Sequence, residues 1–164
     1  MNANAAGLFV GVDWGLTLAY LGAAIAVVLS GYGSARGVAT AGQAAAGVVT
    51  EDPSKYGKTI ILTALPGSQG IYGFVIGMLI FLKLQGKASI PISAGWSLLA
   101  AGIPIGIVGL LSALWQGRVA AAGIGIVAKR PEEASKGLVY AGMVETYAIL
   151  SLVISFFLLN NVTL

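Results

Sequence analysis

Four long stretches of this chain carry almost no charge, and between them they leave little sequence for anything else. Residues 14–35 lie between Asp13 and Arg36, residues 59–82 between Lys58 and Lys83, and residues 88–117 between Lys87 and Arg118. Residues 137–164 follow Lys136 and contain a single formal charge, Glu145. Each stretch can cross ~30 Å of hydrocarbon, which takes about 20 residues as a helix. A lone segment in lipid must be helical, because its backbone has no water to bond. The first and third helices are expected to run past their arginines, since GVATAGQAAAGVV and VAAAGIGIVA stay apolar. The fold expected is therefore an all-α membrane protein of four transmembrane helices, spanning about residues 14–45, 57–83, 90–127 and 136–160.

Only 9% of residues are charged while 57% are hydrophobic, against about 25% charged in soluble domains. Much of the apolar content is glycine and alanine, which lets helix backbones approach closely in lipid. No soluble catalytic domain fits in what remains, so no catalytic site is expected on this chain. With no cysteine and no histidine, disulfides, thiol nucleophiles, imidazole bases and ordinary zinc sites are excluded. The formal charge of +3 does not point to nucleic acid, because the Lys and Arg lie near the ends of the spans. The N-terminus, MNANAAGLFVGVDWG, lacks the basic region of a signal peptide and reads as retained.

Basic residues set the expected orientation. The regions after the first and third spans carry Arg36, Lys55, Lys58, Arg118, Lys129, Arg130 and Lys136, whereas the connection between spans two and three carries only Lys83 and Lys87. The positive-inside rule then makes the one–two and three–four loops cytoplasmic and puts both termini outside. The loops EDPSKYGK and KRPEEASK suit a polar docking surface or an ordinary solvated turn. Trp14 and Trp96 read as interfacial anchors.

The chain also reads as one hairpin written twice, residues 1–87 and 88–164. Placing Pro53 on Pro131 aligns Lys58 with Lys136, Ser68 with Thr146, Ile71 with Ile149 and Val75 with Val153, without a gap. SGYGSARGVATAG likewise sits on SALWQGRVAAAG, pairing Ser30 with Ser112 and Arg36 with Arg118. The repeats are parallel, unlike the inverted repeats of many transporters. In this alignment Glu145 falls on Gly67, so four helices share one carboxylate.

A charge at mid-bilayer depth costs at least ~2.5–3.5 kcal/mol, which makes Glu145 a functional candidate. Leu65, Ser68, Gln69 and Tyr72 fall on one helical stripe of the second span, and Gln116 lies in the third. Pro66 removes a backbone donor and clashes one turn back, loosening the helix locally. Glu145, Gln69, Ser68, Gln116 and a backbone carbonyl form an all-oxygen set with one negative charge, which suits a hard monovalent cation. Tyr72 can donate its O–H to the carboxylate and fix its rotamer. Taken singly, Ser68 and Gln116 also suit interhelical hydrogen bonds of ~0.6 kcal/mol each, and Tyr72 also suits simple packing. Thr59 and Thr63 are expected to bond back to their own helix. The SGYGSARG run lacks the strand, lysine and spacing of a phosphate loop and reads as a close-packing face.

GSARGVATAG, LPGSQGIYGF, LWQGRVAAAGI, KRPE and MVETYAIL together resemble the membrane-rotor proteolipid of V-type ATPases. This is the K or c subunit, and the likeness is greatest to the bacterial sodium-translocating branch. The resemblance covers essentially the whole chain. It implies a ring of identical copies in a prokaryotic cell membrane, with helices one and three inside and two and four outside. It implies one Na+ held by the Leu65 carbonyl and by Ser68, Gln69, Gln116 and Glu145, with Tyr72 bonded to the glutamate. Ser68 stands where a threonine is common and keeps the hydroxyl oxygen. The implied partners are a stator membrane subunit with an essential arginine, central-stalk subunits at the cytoplasmic loops, and lipid. A loaded, neutral site turns through lipid and unloads at the stator arginine, while ATP is handled elsewhere, with no nucleotide on this chain. A proton-carrying rotor of the same family is the near alternative, because H+ needs only the carboxylate. A small multidrug-type transporter and a structural or pore-forming proteolipid are the remote ones.

Overall fold

Asp13 starts the first helix, α1 (Trp14–Glu51), by accepting the Leu16 N–H at 2.7 Å, which satisfies one of the orphan donors of a helix N-terminus. A computed structural model describes residues 11–164, so the N-terminal segment read as retained lies largely outside the described residues. After α1 come α2 (Tyr56–Ala64), α3 (Ser68–Leu84), α4 (Ile92–Lys129) and α5 (Ala134–Asn160). Short 3-10 turns at Pro53–Lys55, Leu65–Gly67 and Pro131–Glu133 join or enter them. The four segments Trp14–Glu51, Pro53–Leu84, Ile92–Lys129 and Pro131–Asn160 are each long and apolar enough to cross a membrane. No strand occurs among the described residues.

The helices outrun their charge-free cores. α1 and α4 have 38 residues each, about 57 Å at 1.5 Å per residue, and stop only before Pro53 and Pro131. Arg36 and Arg118 therefore sit inside helices and not in the regions between spans, which corrects their use as loop charges. Both are exposed, so neither guanidinium interrupts the buried seam, and Arg118 lies 4.5 Å above the Trp115 ring. The basic residues left at that end are Lys55, Lys58, Lys129, Arg130 and Lys136.

α1 and α4 run side by side along matched glycines. A Cβ on Gly117 would stand 2.5 Å from the Gly37 Cα, one on Gly95 would stand 2.8 Å from the Gly15 Cα, and one on Gly22 would stand 2.7 Å from the Leu99 Cα. Backbone meets backbone there, and only glycine permits it. The Gly33 and Gly37 part of SGYGSARG takes part in this seam, as expected of a packing face.

Lysines tie the hairpins together at both ends. Lys55 Nζ donates to the Ala128 carbonyl at 2.8 Å and Lys58 Nζ to that of Pro131 at 3.0 Å. At the other end Lys83 Nζ donates to the Leu159 carbonyl at 3.2 Å. Ala128 and Leu159 lie in the last turns of α4 and α5, where carbonyls lack helical donors and the dipole favours a cation. At the first turn Asp52 accepts from the Ser54 hydroxyl at 2.6 Å, and that bond, with Lys55 beside it, holds its carboxyl below the usual carboxylate range. Thr59 and Thr63 bond back to Tyr56 and Thr59 carbonyls at 3.0 and 2.9 Å, as anticipated.

Two apolar clusters fill the interior. One gathers Ala26, Ile76, Ile80, Leu98 and Ile105, and the other Ala41, Leu62, Ala120, Ile124 and Val127. Between these levels lies a polar layer of buried Ser30, Ser34, Gln69, Ser112 and Gln116.

A polar network around Glu145

Pro66 shapes the second span locally. Lacking an N–H, it tightens Leu65–Gly67 into a 3-10 turn, the loosening expected of a proline inside a helix. The Leu65 carbonyl there accepts both the Ser68 N–H and the Ser68 Oγ–H, the latter at 3.0 Å. Across the seam the Ser34 hydroxyl accepts the Gly70 N–H at 2.7 Å, so the residue that aligns with Gln116 props the turn from the α1 side.

The carboxylate of Glu145, half-buried on α5, is held at both oxygens. Tyr72 Oη donates to Oε1 at 2.7 Å and Gln116 Nε2 to Oε2 at 3.3 Å. Gln116 is fully buried and gives its other hydrogen to the Ala141 carbonyl at 3.0 Å. Its Oε1 therefore faces Gln69, whose Nε2 donates to it at 2.6 Å. Ser68 Oγ stands 3.4 Å from Gln69 Oε1. All six residues singled out in the sequence (Leu65, Ser68, Gln69, Tyr72, Gln116 and Glu145) thus fall into one network drawn from the second, third and fourth spans. Glu145 has no ion-pair partner among the described residues.

One member of the network was missed. Ser112, one turn before Gln116 on α4, donates to the Val144 carbonyl at 3.0 Å and accepts from Gln69 Nε2 at 3.4 Å. Its position four residues from Gln116 was the available signal. Gly67, the counterpart of Glu145, has only a Val38 methyl 3.6 Å from where a Cβ would stand. An acid is missing there without backbone contact forbidding a side chain.

Chemically, the arrangement supplies carbonyl, hydroxyl, two amide oxygens and a single carboxylate. Glu145 is the one acid among the network residues, and among the described residues no three His, Cys, Asp or Glu come together. The model of a family described as the ATP synthase C subunit matches this chain twice, over residues 21–80 and 99–158.

The chain belongs to the ATP synthase C-subunit family.

The two matched segments sit at the same offset as Pro53 on Pro131. Over 147 residues the chain is 52% identical to the K subunit of the V-type sodium ATPase of Enterococcus hirae, covering 90% of this chain and 93% of that one. It is 42% identical to the K subunit of the A-type ATP synthase of Methanocaldococcus jannaschii, over 90% of this chain and 64% of that one. It is 30% identical to the 16 kDa proteolipid of the V-type proton ATPase of Nephrops norvegicus, over 84% and 87%. With four apolar spans and these relatives, the chain is a multi-pass membrane protein of the K or c proteolipid type.

Proposed function

We propose that this chain is the ion-carrying subunit of the membrane rotor of a V-type rotary ATPase, and that each copy carries one Na+ at Glu145. The observation that carries the reading is a single carboxylate, Glu145, held by Tyr72 Oη and Gln116 Nε2 and joined through Gln116 to one hydrogen-bond network with the Gln69 amide, the Ser68 hydroxyl and the Leu65 carbonyl. Neutral oxygens replace the hydration shell of a hard cation, and one carboxylate balances one charge. A divalent ion would leave a charge uncompensated in a site with no second acid.

Copies form a ring, with α1 and α4 toward its axis and the second and fourth spans outward. A loaded Glu145 is neutral and can face lipid as the ring turns. An empty one would carry a penalty of at least ~2.5–3.5 kcal/mol, which forbids slipping. Where the ring meets the stator, a fixed cation, an arginine, displaces the bound ion into an aqueous path, and a second path reloads the site. The basic turns at Asp52–Lys58 and Arg130–Lys136 face the cytoplasm and meet the central stalk, and both termini face outward. Nucleotide chemistry belongs to the soluble head.

A proton rotor is the second reading, favoured by the likeness to a proteolipid named for a proton ATPase and by the fact that H+ needs the carboxylate alone. Carbodiimide labelling of Glu145 separates the two. At fixed pH, millimolar Na+ protects a sodium site, whereas labelling that depends on pH and ignores Na+ identifies a proton site.

A further inference from the structure

We infer that Ser112 is a positioning residue for the cation, acting through the side-chain amide of Gln69; this rests on the sodium reading of the Glu145 site. The hydroxyl has one hydrogen and gives it to the Val144 carbonyl at 3.0 Å, in the residue before Glu145. It is then an acceptor toward Gln69, whose Nε2 lies 3.4 Å away. That nitrogen's other hydrogen goes to Gln116 Oε1 at 2.6 Å. Gln116 in turn spends both its hydrogens on the Ala141 carbonyl and on Glu145, groups that only accept.

The hydrogen-bond polarity thus runs one way. It starts at two α5 backbone carbonyls, passes through Ser112 and Gln116, and fixes the nitrogen end of Gln69 toward α4. Gln69 is fully buried, so its amide has no water to satisfy a reversed orientation. The consequence is that Gln69 Oε1 points away from α4, toward Ser68 Oγ at 3.4 Å, where a cation would sit. Without Ser112 one Gln69 hydrogen is left unpaired and the amide is free to tilt.

The repeat supplies a comparison inside the molecule. Ser30, which aligns with Ser112, turns its hydroxyl back to the Ala26 carbonyl of its own helix at 2.6 Å, the ordinary habit of a helical serine. Ser112 bonds across to α5 instead, in the hairpin that carries the acid.

Ser112→Thr and Ser112→Val differ only in the hydroxyl, and Ser112 lines a groove of about 340 Å³ with Val108, Trp115 and Tyr147 that can take a methyl. In rings from each variant, sodium protection of Glu145 against carbodiimide is titrated at fixed pH, relative to that variant's own rate without sodium. Ser112→Thr is expected to keep the wild-type half-protecting concentration, and Ser112→Val to raise it about tenfold, the size of one buried hydrogen bond. Equal midpoints for the two variants, whether near wild type or both raised, overturn the proposal while leaving the sodium reading intact. A wild-type ring that sodium does not protect overturns the sodium reading and this proposal together.

Discussion

The Tyr72 hydroxyl donates to Glu145 Oε1 at 2.7 Å, joining the second span to the fourth at a carboxylate that Gln116 also holds from the third. Tyr72 is half-buried against the apolar cluster, and its hydroxyl acts as a latch on the acid. A hydrogen bond to a charged group contributes about 1.5–3 kcal/mol. Tyr72→Phe keeps the ring and removes only the latch. Rings of this variant are expected to assemble, to label faster with carbodiimide at Glu145, and to need about tenfold more Na+ for half-protection. Labelling at the wild-type rate would show that the hydroxyl does not hold the carboxylate.

Glu145→Gln keeps the length and hydrogen-bonding capacity of the side chain and deletes the charge. Membrane vesicles with this variant are expected to show an assembled ring and no ATP-driven ion uptake. Glu145→Asp pulls the carboxylate back by one methylene, away from both Tyr72 and Gln116, and is expected to transport weakly at best. Uptake by Glu145→Gln vesicles at the wild-type rate would remove the carboxylate from the carrying role.

Much of this architecture was legible because lipid leaves a chain few options. Charge spacing gave four helices, and the i, i+3, i+4, i+7 stripe of Leu65, Ser68, Gln69 and Tyr72 picked out four residues that share a hydrogen-bond network with Gln116 and Glu145. Charges mark where hydrocarbon ends and not where a helix ends. For that reason the first and third helices run on past Arg36 and Arg118 and end only at the Asp52 turn and before Pro131. The bonding of Ser112 was not legible, although its spacing from Gln116 was. A serine in a glycine- and alanine-rich helix can bond its own backbone, as Ser30 does, or a neighbour's, as Ser112 does. Which one it does depends on the carbonyl that faces it, and that is a property of packing alone.

The glycine seam makes a separate prediction about folding. A Cβ on Gly117 would meet the Gly37 backbone at 2.5 Å, with no flexible side chain to yield. Gly117→Val is expected to force α1 and α4 apart and to abolish recovery of intact rings in mild detergent. Gly125→Ala is the control, since nothing lies within 4 Å of its Cβ and alanine favours helix by about 0.8–1 kcal/mol. Equal ring yields from both variants would show that close backbone contact is not what holds α1 against α4.

The sharpest test of ion choice lies in the neutral ligands, because a proton does not need them. Gln116→Leu keeps roughly the side-chain volume but leaves Gln69 Nε2 and Glu145 Oε2 without their partner, a loss of about 1–3 kcal/mol for each unsatisfied group. Ser68→Ala is milder, since Ser68 is half-buried and its hydroxyl lies on the Leu65 carbonyl and Gln69 Oε1 and not on the carboxylate of Glu145. Both variants keep Glu145 and Tyr72. Under the sodium reading, each is expected to lose sodium protection, Gln116→Leu more steeply, while Glu145 still labels with carbodiimide in a pH-dependent way. ATP-driven uptake would then shift from Na+ toward H+ as external sodium is withdrawn. If both variants keep the wild-type sodium titration, these oxygens do not ligate the ion, and Glu145 works as a proton carrier surrounded by structural hydrogen bonds.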